Sequence, residues 1–319
     1  MMNKKVLVAS NWFSRYCSQA KSLLLEHGFE IRENETDRAL SFQELEPLVA
    51  DLGAVIAGLE IWNRELLQRA RKLKIIARWG AGYDNIDVDC ARELGIKVTN
   101  ARGVPSGSVA EFTVGIMISG LRRIPQKNAW MHQGVWKQVM SSELCGKSVG
   151  LVGFGSIGRL VAEKLKGFGV KLFAHDPLAD TATAERLGVT LLPFGELLAG
   201  CDIISLHLPG SPENRHLFGA EQFGRMRDGA YFINTSRGNL VDESALYDAL
   251  VSGKLSGAAV DVYEREPLDP VSPLVEVEDL LLTPHVAAFT RENFHRVSLV
   301  VTRAVIDVFE GREPENLVS

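Results

Sequence analysis

Three glycines in the middle of the chain constrain the fold more than any other feature. They follow an apolar run, Ser148 to Val152, with the spacing G-x-G-x-x-G, at Gly153, Gly155 and Gly158, and an amphipathic segment comes after them. This order predicts a strand, a tight turn and a helix. The first glycine permits the turn, the second leaves room for a pyrophosphate, and the third lets the helix approach the strand. A phosphate-binding turn is the favoured interpretation, and a purely structural glycine turn is the alternative.

An acidic residue stands where the second strand of a dinucleotide-binding unit would end. The apolar run 170–175 leads into Asp176, at about the 20-residue separation from the glycines that this motif uses. A carboxylate there accepts hydrogen bonds from a ribose diol and repels a 2′-phosphate. The two features together predict a dinucleotide cofactor, NAD in preference to NADP.

Length and composition indicate a two-domain protein that binds small molecules. The 319 residues exceed what one hydrophobic core usually organises. A net charge of −5 argues against nucleic acid or a membrane surface as the main partner. We find no long apolar segment or cleavage signal near the N-terminus, which predicts a cytoplasmic location. The widely spaced cysteines predict reduced core residues and neither a disulfide framework nor a metal cluster: Cys17, Cys90, Cys145 and Cys201.

Apolar runs alternate with helical patterns along the chain, which is typical of doubly wound α/β domains. A Gly/Pro-rich stretch, Ala101 to Gly107, separates a first series of such runs from a second one. The last helical pattern, Thr290 to Glu310, is expected to return to the first domain. We therefore predict two doubly wound domains, one formed by 1–102 with 287–319 and the other by 103–286.

The segment 103–145 carries more apolar surface than a linker needs. Its residues 110–136 are apolar at helical spacing and include Trp130 and Trp136. Packing within one chain and a subunit interface explain this pattern equally well. We expect a homodimer formed through 103–145.

A loop after another predicted strand, 74–78, has the composition of an anion site. Gly80, Ala81 and Gly82 can expose backbone N–H groups to an anion, and Asp87 can cap the next helix. A substrate carboxylate is the expected ligand. The alternative is a turn in which the glycines only relieve strain.

Polar residues at the ends of predicted strands are the candidates for chemistry, because ligands bind at the carboxyl ends of strands in such sheets. Arg237 follows one strand, and its planar guanidinium matches a carboxylate bidentately. His285 follows Pro284 at the end of another, and a nearby Glu266 would orient its ring as a general acid. Taken singly, a surface salt bridge for Arg237 and a structural role for His285 are the more common alternatives.

Several motifs in this order resemble the D-isomer-specific 2-hydroxyacid dehydrogenases, which include phosphoglycerate dehydrogenases, hydroxypyruvate/glyoxylate reductases and D-lactate dehydrogenases. The resemblance covers essentially the whole chain. It implies a Rossmann NAD-binding domain inserted into a flavodoxin-like substrate domain. It rests on the glycine motif with Asp176, on His207-Leu208-Pro209 followed by Asn214, on Thr235-Ser236-Arg237-Gly238, on Asp261 with Glu266-Pro267, and on Pro284-His285.

This resemblance implies NAD-dependent hydride transfer to or from a small D-2-hydroxy acid/2-oxo acid pair, with no metal. Arg237 would bind the substrate carboxylate and steady the carbonyl oxygen, His285 would exchange a proton with that oxygen, and Glu266 would hydrogen-bond His285. Gly80, Ala81 and Gly82 would bind the carboxylate through backbone amides. The implied cofactor contacts are Gly153, Gly155, Ser156, Ile157, Gly158, Asp176, Pro209, Asn214, Thr235, Arg237 and Asp261, the last near the nicotinamide carboxamide.

The substrate stays open at this level. A phosphoglycerate dehydrogenase-like activity is expected first, and glyoxylate or hydroxypyruvate reduction is the alternative. Ala287-Ala288 replaces the glycines common in the family, Glu60 stands where phosphoglycerate enzymes often have a basic residue, and Arg78 could serve a phosphate or be a solvated charge. A binding protein like the NADH-sensing corepressors, which share this architecture, is the alternative of another class, and the complete catalytic set favours the enzyme.

Overall fold

The computed structural model describes residues 3–318, which form two compact units. One unit comprises the residues up to Pro105 together with those from Phe289 onward, and the other is Ser106–Ala288. The sequence patterns predict these divisions at 102/103 and 286/287. Each unit is built on a parallel sheet between helices, which confirms the predicted fold class.

The first unit is a five-stranded parallel sheet. Its strands are β1 (Lys5–Val8), β2 (Glu30–Glu33), β3 (Ala54–Ala57), β4 (Ile75–Arg78) and β5 (Lys97–Thr99), and its helices up to β5 are α1 (Asn11–Tyr16), α2 (Ser18–Glu26), α3 (Phe42–Val49), α4 (Arg64–Arg69) and α5 (Val88–Glu93). The spatial order β2-β1-β3-β4-β5 is the flavodoxin-like order. Helix α4 begins where Asn63 accepts a bond from the Leu66 N–H (3.0 Å), and α5 where Asp87 accepts one from the Cys90 N–H (2.9 Å).

The second unit is a seven-stranded parallel sheet. Its strands are β6 (Ser148–Val152), β7 (Lys171–His175), β8 (Val189–Leu191), β9 (Ile203–Leu206), β10 (Ala230–Asn234), β11 (Leu255–Val260) and β12 (Leu280–Leu282), and its helices are α6 (Ser106–Leu121), α7 (Ile124–His132), α8 (Ser156–Leu165), α9 (Thr181–Leu187), α10 (Phe194–Gly200), α11 (Ala220–Arg225) and α12 (Glu243–Val251). The spatial order is β12-β11-β10-β9-β6-β7-β8. The order reverses between β6 and β9, and in such sheets dinucleotides bind at the carboxyl ends of the strands at this reversal.

One element of the second unit differs from the sequence expectation, and the end of β11 matters for the site. The helical pattern over 110–136 is divided between α6 and α7, because Arg123 has a left-handed φ of 50° and Pro125 lies in the first turn of α7. β11 ends at Val260, so Asp261 lies just beyond this strand. The Asp261 carboxylate is therefore at the carboxyl edge of the sheet.

The last helix, α13 (Arg291–Phe309), completes the first unit. Its residues Phe294, Val301 and Val305 pack in one apolar cluster with Val6 of β1 and Ile56 of β3. The amphipathic face of α13 thus buries one side of the five-stranded sheet.

The expectation that all four cysteines are core residues is wrong for one of them. Cys17, Cys90 and Cys201 are buried, but Cys145 is exposed because it lies in the irregular segment that precedes β6. Among residues 3–318, no three His, Cys, Asp or Glu side chains are grouped so that they could hold a metal ion. Over the same range, every helix is too short or too polar to cross a membrane.

Candidate active site

The glycine turn joins β6 to α8 at the carboxyl edge of the second sheet. Gly153 has a φ of 98°, and a Cβ built on it would lie 2.5 Å from the carbonyl oxygen of His207. A Cβ on Gly158 would lie 2.4 Å from the carbonyl oxygen of Gly153, whereas a Cβ on Gly155 would meet no atom within 4 Å. The outer two glycines therefore permit close packing, and the middle one leaves open space at the N-terminus of α8.

Asp176 is held beside this turn. It directly follows β7, and its two carboxylate oxygens accept bonds from the Phe154 N–H (2.8 Å) and the Leu178 N–H (2.9 Å). The open space at Gly155 and the neighbouring carboxylate fit the phosphates and the ribose of a dinucleotide.

The other predicted cofactor residues lie near the same edge. Thr235, which follows β10, shares a hydroxyl hydrogen bond with Thr113 (2.9 Å). The Asn214 amide donates to the carbonyl oxygen of Pro209 (3.1 Å), after β9. Ser156 begins α8, followed by Ile157. These residues are therefore brought to the ends of β6, β9 and β10.

Glu266 and His285 form a hydrogen-bonded pair. Nδ1 of His285 lies 2.7 Å from Oε2 of Glu266, and the Tyr263 N–H donates to Oε1 at 3.2 Å. Burial raises the pKa of Glu266, but three neighbours act in the opposite direction. His285 contributes a hydrogen bond and its charge, Tyr263 its backbone N–H, and Arg237 its charge, and together they hold this pKa below its ordinary value. The carboxylate is therefore ionised at neutral pH and orients the ring with Nδ1 as the donor, which directs Nε2 away from Glu266.

Arg237 belongs to a tightly packed turn after β10. Its Nη1 donates to the carbonyl oxygen of Ser236 (2.7 Å). The side-chain amide of Asn234 donates to the carbonyl oxygen of Arg237 (2.9 Å). A Cβ on Gly238 would lie 1.9 Å from the backbone of Tyr263, so the turn can take only glycine there without moving. The sequence TSRG thus fixes the backbone from which the guanidinium extends.

Asp261 holds the histidine loop. It is fully buried, and its carboxylate accepts bonds from the Thr283 hydroxyl (2.7 Å) and from the N–H groups of Val286 (2.9 Å) and Ala287 (2.8 Å). Burial raises the pKa of Asp261, and these three donors act in the opposite direction. The family resemblance implies a cofactor contact for Asp261, and the structure shows that Asp261 also positions the loop that carries His285.

Two residues to which the sequence assigned no role, Tyr263 and His207, support the same edge. The Tyr263 hydroxyl donates to the carbonyl oxygen of Thr283 (2.9 Å), and burial raises the pKa of this phenol to about 12. Nε2 of His207 lies 3.0 Å from Oγ of Ser205, and burial lowers the pKa of this imidazole to about 3, so the ring is neutral. His207 directly follows β9, and this position at the end of a strand was the signal that could have given it a role in the site.

The loop Gly80-Ala81-Gly82 lies at the carboxyl end of β4 in the first unit. Its first two carbonyl oxygens accept bonds from the Ala101 N–H (2.8 Å) and the Asn100 amide (2.6 Å). The Gly80 N–H donates to the Arg78 carbonyl. Among the groups of residues 3–318, the N–H groups of Ala81 and Gly82 have no acceptor, which fits an anion site.

Relatives of this chain are named for two different activities. A D-3-phosphoglycerate dehydrogenase of Archaeoglobus fulgidus is 37% identical over 318 residues, which cover 99% of this chain and 59% of the relative. A glyoxylate reductase of Korarchaeum cryptofilum is 35% identical over 302 residues, which cover 92% of this chain and 91% of the relative. The chain thus spans about three fifths of the length of the first relative.

Solved structures show the same fold over nearly the entire length. The TT0316 protein of Thermus thermophilus matches with a TM-score of 0.91 at 33% identity, covering 99% of this chain and all of the other. A glyoxylate reductase of Paecilomyes thermophila matches with a TM-score of 0.88 at 29% identity, covering 100% and 99%. The family model described as D-isomer specific 2-hydroxyacid dehydrogenase, NAD binding domain, matches residues 114–287. As the sequence motifs predicted, the chain belongs to the D-isomer-specific 2-hydroxyacid dehydrogenase family.

Proposed function

We propose that this chain interconverts a small 2-oxo acid and the corresponding D-2-hydroxy acid with NAD as the cofactor. The observation that carries the proposal is the 2.7 Å bond between His285 and Glu266, with Arg237 among the charges that act on Glu266. Carbonyl reduction needs a proton donor for the oxygen and a cation for the charge that develops on it. These three side chains supply both.

Each of these side chains would have a separate role in the reaction. NAD, when bound, supplies or takes the hydride. Arg237 would bind the substrate carboxylate and stabilise the developing negative charge on the carbonyl oxygen. His285 would donate its Nε2 proton to that oxygen during reduction and take it back during oxidation, while its Nδ1–H stays bonded to Glu266. The free N–H groups of Ala81 and Gly82 would hold the substrate carboxylate.

Preference for NAD over NADP is part of the proposal and rests on Asp176. A 2′-phosphate beside its carboxylate would meet like charge. Replacing Asp176 by Ser should raise the ratio of kcat/KM for NADPH to that for NADH. An unchanged ratio in an active variant would assign the preference to another residue.

A panel of substrates tests the reaction class. Purified protein with NADH is offered phosphohydroxypyruvate, the substrate of a phosphoglycerate dehydrogenase-like enzyme, and then hydroxypyruvate, glyoxylate and pyruvate. Loss of NADH absorbance with at least one of them is expected. If none is reduced while NADH still binds, a function as an NADH-sensing binding protein explains the chain better than an enzyme does.

We further propose a homodimer formed through the segment 103–145. Helix α7 and the stretch after it expose large apolar side chains, among them Trp136 at 78% and Met140 at 90%. Light scattering should give twice the mass of one chain, and the double variant Trp136→Ser/Met140→Ser should be monomeric. Leu178→Ser, which changes an equally exposed residue elsewhere (92%), is the matched control and should remain dimeric.

A further inference from the structure

One tyrosine of the second unit is bonded to the supports of both members of the Glu266–His285 pair. Tyr263 is buried, and its ring belongs to the apolar cluster that also contains Phe218 and Leu240. Its backbone N–H and its hydroxyl each make a hydrogen bond toward the pair. Tyr263 therefore joins the segment that carries Glu266 to the segment that carries His285.

The backbone of Tyr263 holds the glutamate. Its N–H donates to Oε1 of Glu266 at 3.2 Å, while Oε2 lies 2.7 Å from Nδ1 of His285. Because the two oxygens have different partners, the carboxylate cannot rotate without losing one of these bonds. The same backbone lies against Gly238, where a Cβ would come 1.9 Å from the carbonyl group of Tyr263. The turn that carries Arg237 thus packs on this residue as well.

The hydroxyl of Tyr263 holds the backbone of the histidine. It donates to the carbonyl oxygen of Thr283 at 2.9 Å, and the N–H of His285 donates to the same oxygen at 3.1 Å. The second bond closes a three-residue turn over Pro284. His285 has a φ of 53°, which persists only where surrounding groups enforce it. The hydroxyl therefore fixes the carbonyl group on which this conformation depends.

The hydroxyl is a donor throughout the neutral range. Burial, aided by the charge of Asp261, raises the pKa of Tyr263 to about 12, so the phenol keeps its proton at neutral pH. On the other side of His285, Asp261 binds the next two backbone N–H groups. The histidine is thus held on both sides, and loss of the hydroxyl would release only the side at Thr283.

Resting on the proposed function, we infer that Tyr263 is a positioning residue for proton transfer, and that its hydroxyl acts through His285. Proton transfer requires Nε2 of His285 to lie within hydrogen-bond reach of the substrate oxygen. A small displacement of the ring lowers the rate of that step, whereas other groups bind the cofactor and the substrate carboxylate. The hydroxyl should therefore contribute to turnover and not to binding.

The test is Tyr263→Phe, which keeps the ring in its apolar cluster and the N–H bond to Glu266. We measure kcat and KM for the 2-oxo acid that wild type reduces best, the Kd of NADH, and the single-turnover rate of NADH oxidation. The kcat and the single-turnover rate should fall about tenfold, while KM and Kd stay within about twofold of wild type. A hydroxyl with only a structural role would lower the urea midpoint and change none of these four quantities.

Tyr231→Phe is the matched control. Tyr231 is also buried, and its hydroxyl also donates to a backbone carbonyl oxygen at 2.9 Å, that of Ala258. It lies near the start of β10, away from the carboxyl end of that strand. This variant should lower the urea midpoint about as much as Tyr263→Phe does and should keep the wild-type kcat. The two variants together separate the loss of a buried hydrogen bond from the loss of the position of His285.

A double-variant cycle tests whether the hydroxyl acts through His285. In the His285→Ala background no ring remains to be positioned, so adding Tyr263→Phe should lower the residual kcat by less than about twofold. A further tenfold loss in that background, which is about the effect expected in wild type, would assign the hydroxyl another route of action and overturn the inference.

Each remaining outcome also decides the inference. A wild-type kcat in Tyr263→Phe overturns it, as does an equal loss of kcat in Tyr231→Phe. If Tyr263→Phe does not fold although Tyr231→Phe does, the hydroxyl is structural and the inference fails. If wild type binds NADH but reduces none of the four acids of the panel, the proposed function itself fails and takes this inference with it, which is a different result from an active enzyme that does not need the hydroxyl.

Discussion

His285 has a backbone conformation that a residue with a side chain rarely adopts. Its φ is 53°, in the left-handed region, and Asp261 binds the next two backbone N–H groups of the loop. Strained residues held by buried polar partners are common at functional sites. The strain and the bond to Glu266 together give the ring one orientation, which general acid catalysis requires.

Replacing His285 by Ala should lower kcat by about 10²- to 10⁴-fold, the range for loss of a general acid, with little change in the Kd of NADH. His216→Ala is a matched control, because His216 also has a φ of 50° and also bonds a glutamate, Glu264, at 3.0 Å. That variant should keep nearly full turnover. Equal losses in both variants, or none in His285→Ala, would remove His285 from the proposed role.

His207 predicts a dependence of stability on pH. Its pKa of about 3 in the folded protein lies below its ordinary value of 6.5, so the unfolded chain binds the proton first as the pH falls. Stability is therefore lost progressively below pH 6.5, by about 2 kcal/mol between pH 7 and pH 5 from this residue. Urea unfolding of the cofactor-free protein should show this loss to be smaller by that amount in His207→Gln. Parallel pH profiles for the two proteins would contradict the assignment.

At the scale of the elements, the sequence predicted the turns and helix ends that depend on residues close together in the chain. The spacing of Gly153, Gly155 and Gly158 identified a strand, turn and helix, and Asp87 was identified as a helix cap. Glycine spacing and cap residues act within a few positions along the chain, so a single sequence contains them.

Contacts between distant segments could not be predicted in the same way. The bonds from Asp261 to the loop of His285 join residues more than twenty positions apart. The turn after β3 is likewise held by the Asn85 side-chain amide, which donates to the carbonyl oxygens of Glu60 and Gly58 and lies more than twenty positions further along the chain. The division between α6 and α7 had a local signal in Pro125 that the apolar periodicity concealed.

Replacing a glycine of the turn by alanine should have different effects at two positions, on stability at Gly158 and on NADH binding at Gly155. Gly158→Ala places a methyl group 2.4 Å from the Gly153 carbonyl oxygen and should lower the free energy of unfolding by about 1–3 kcal/mol. Gly155→Ala meets no protein atom within 4 Å and should leave that free energy nearly unchanged, yet weaken NADH binding by about tenfold or more, because its methyl group would occupy phosphate space. Urea unfolding and NADH titration of both variants check this. If Gly155→Ala binds NADH as wild type does, the phosphates do not approach that glycine.

At the scale of the whole molecule, the two units differ in how the chain builds them. The second is one continuous stretch, Ser106–Ala288, with its own apolar clusters on both faces of its sheet. The first needs two stretches, because α13 contributes Phe294, Val301 and Val305 to the cluster that covers β1 and β3. The cofactor residues named above all lie in the continuous unit.

The continuous unit should therefore fold and bind NADH by itself. We expect residues 103–288, expressed alone, to unfold cooperatively and to enhance NADH fluorescence with a Kd within about tenfold of that of the full chain, since its core and its glycine turn are intact. It should not reduce any 2-oxo acid, because Ala81 and Gly82 are missing. Residues 1–105 expressed alone should fail to fold cooperatively, because the apolar surface that α13 buries would face water. A cooperative transition in 1–105, or turnover by 103–288 alone, would contradict this division of the chain.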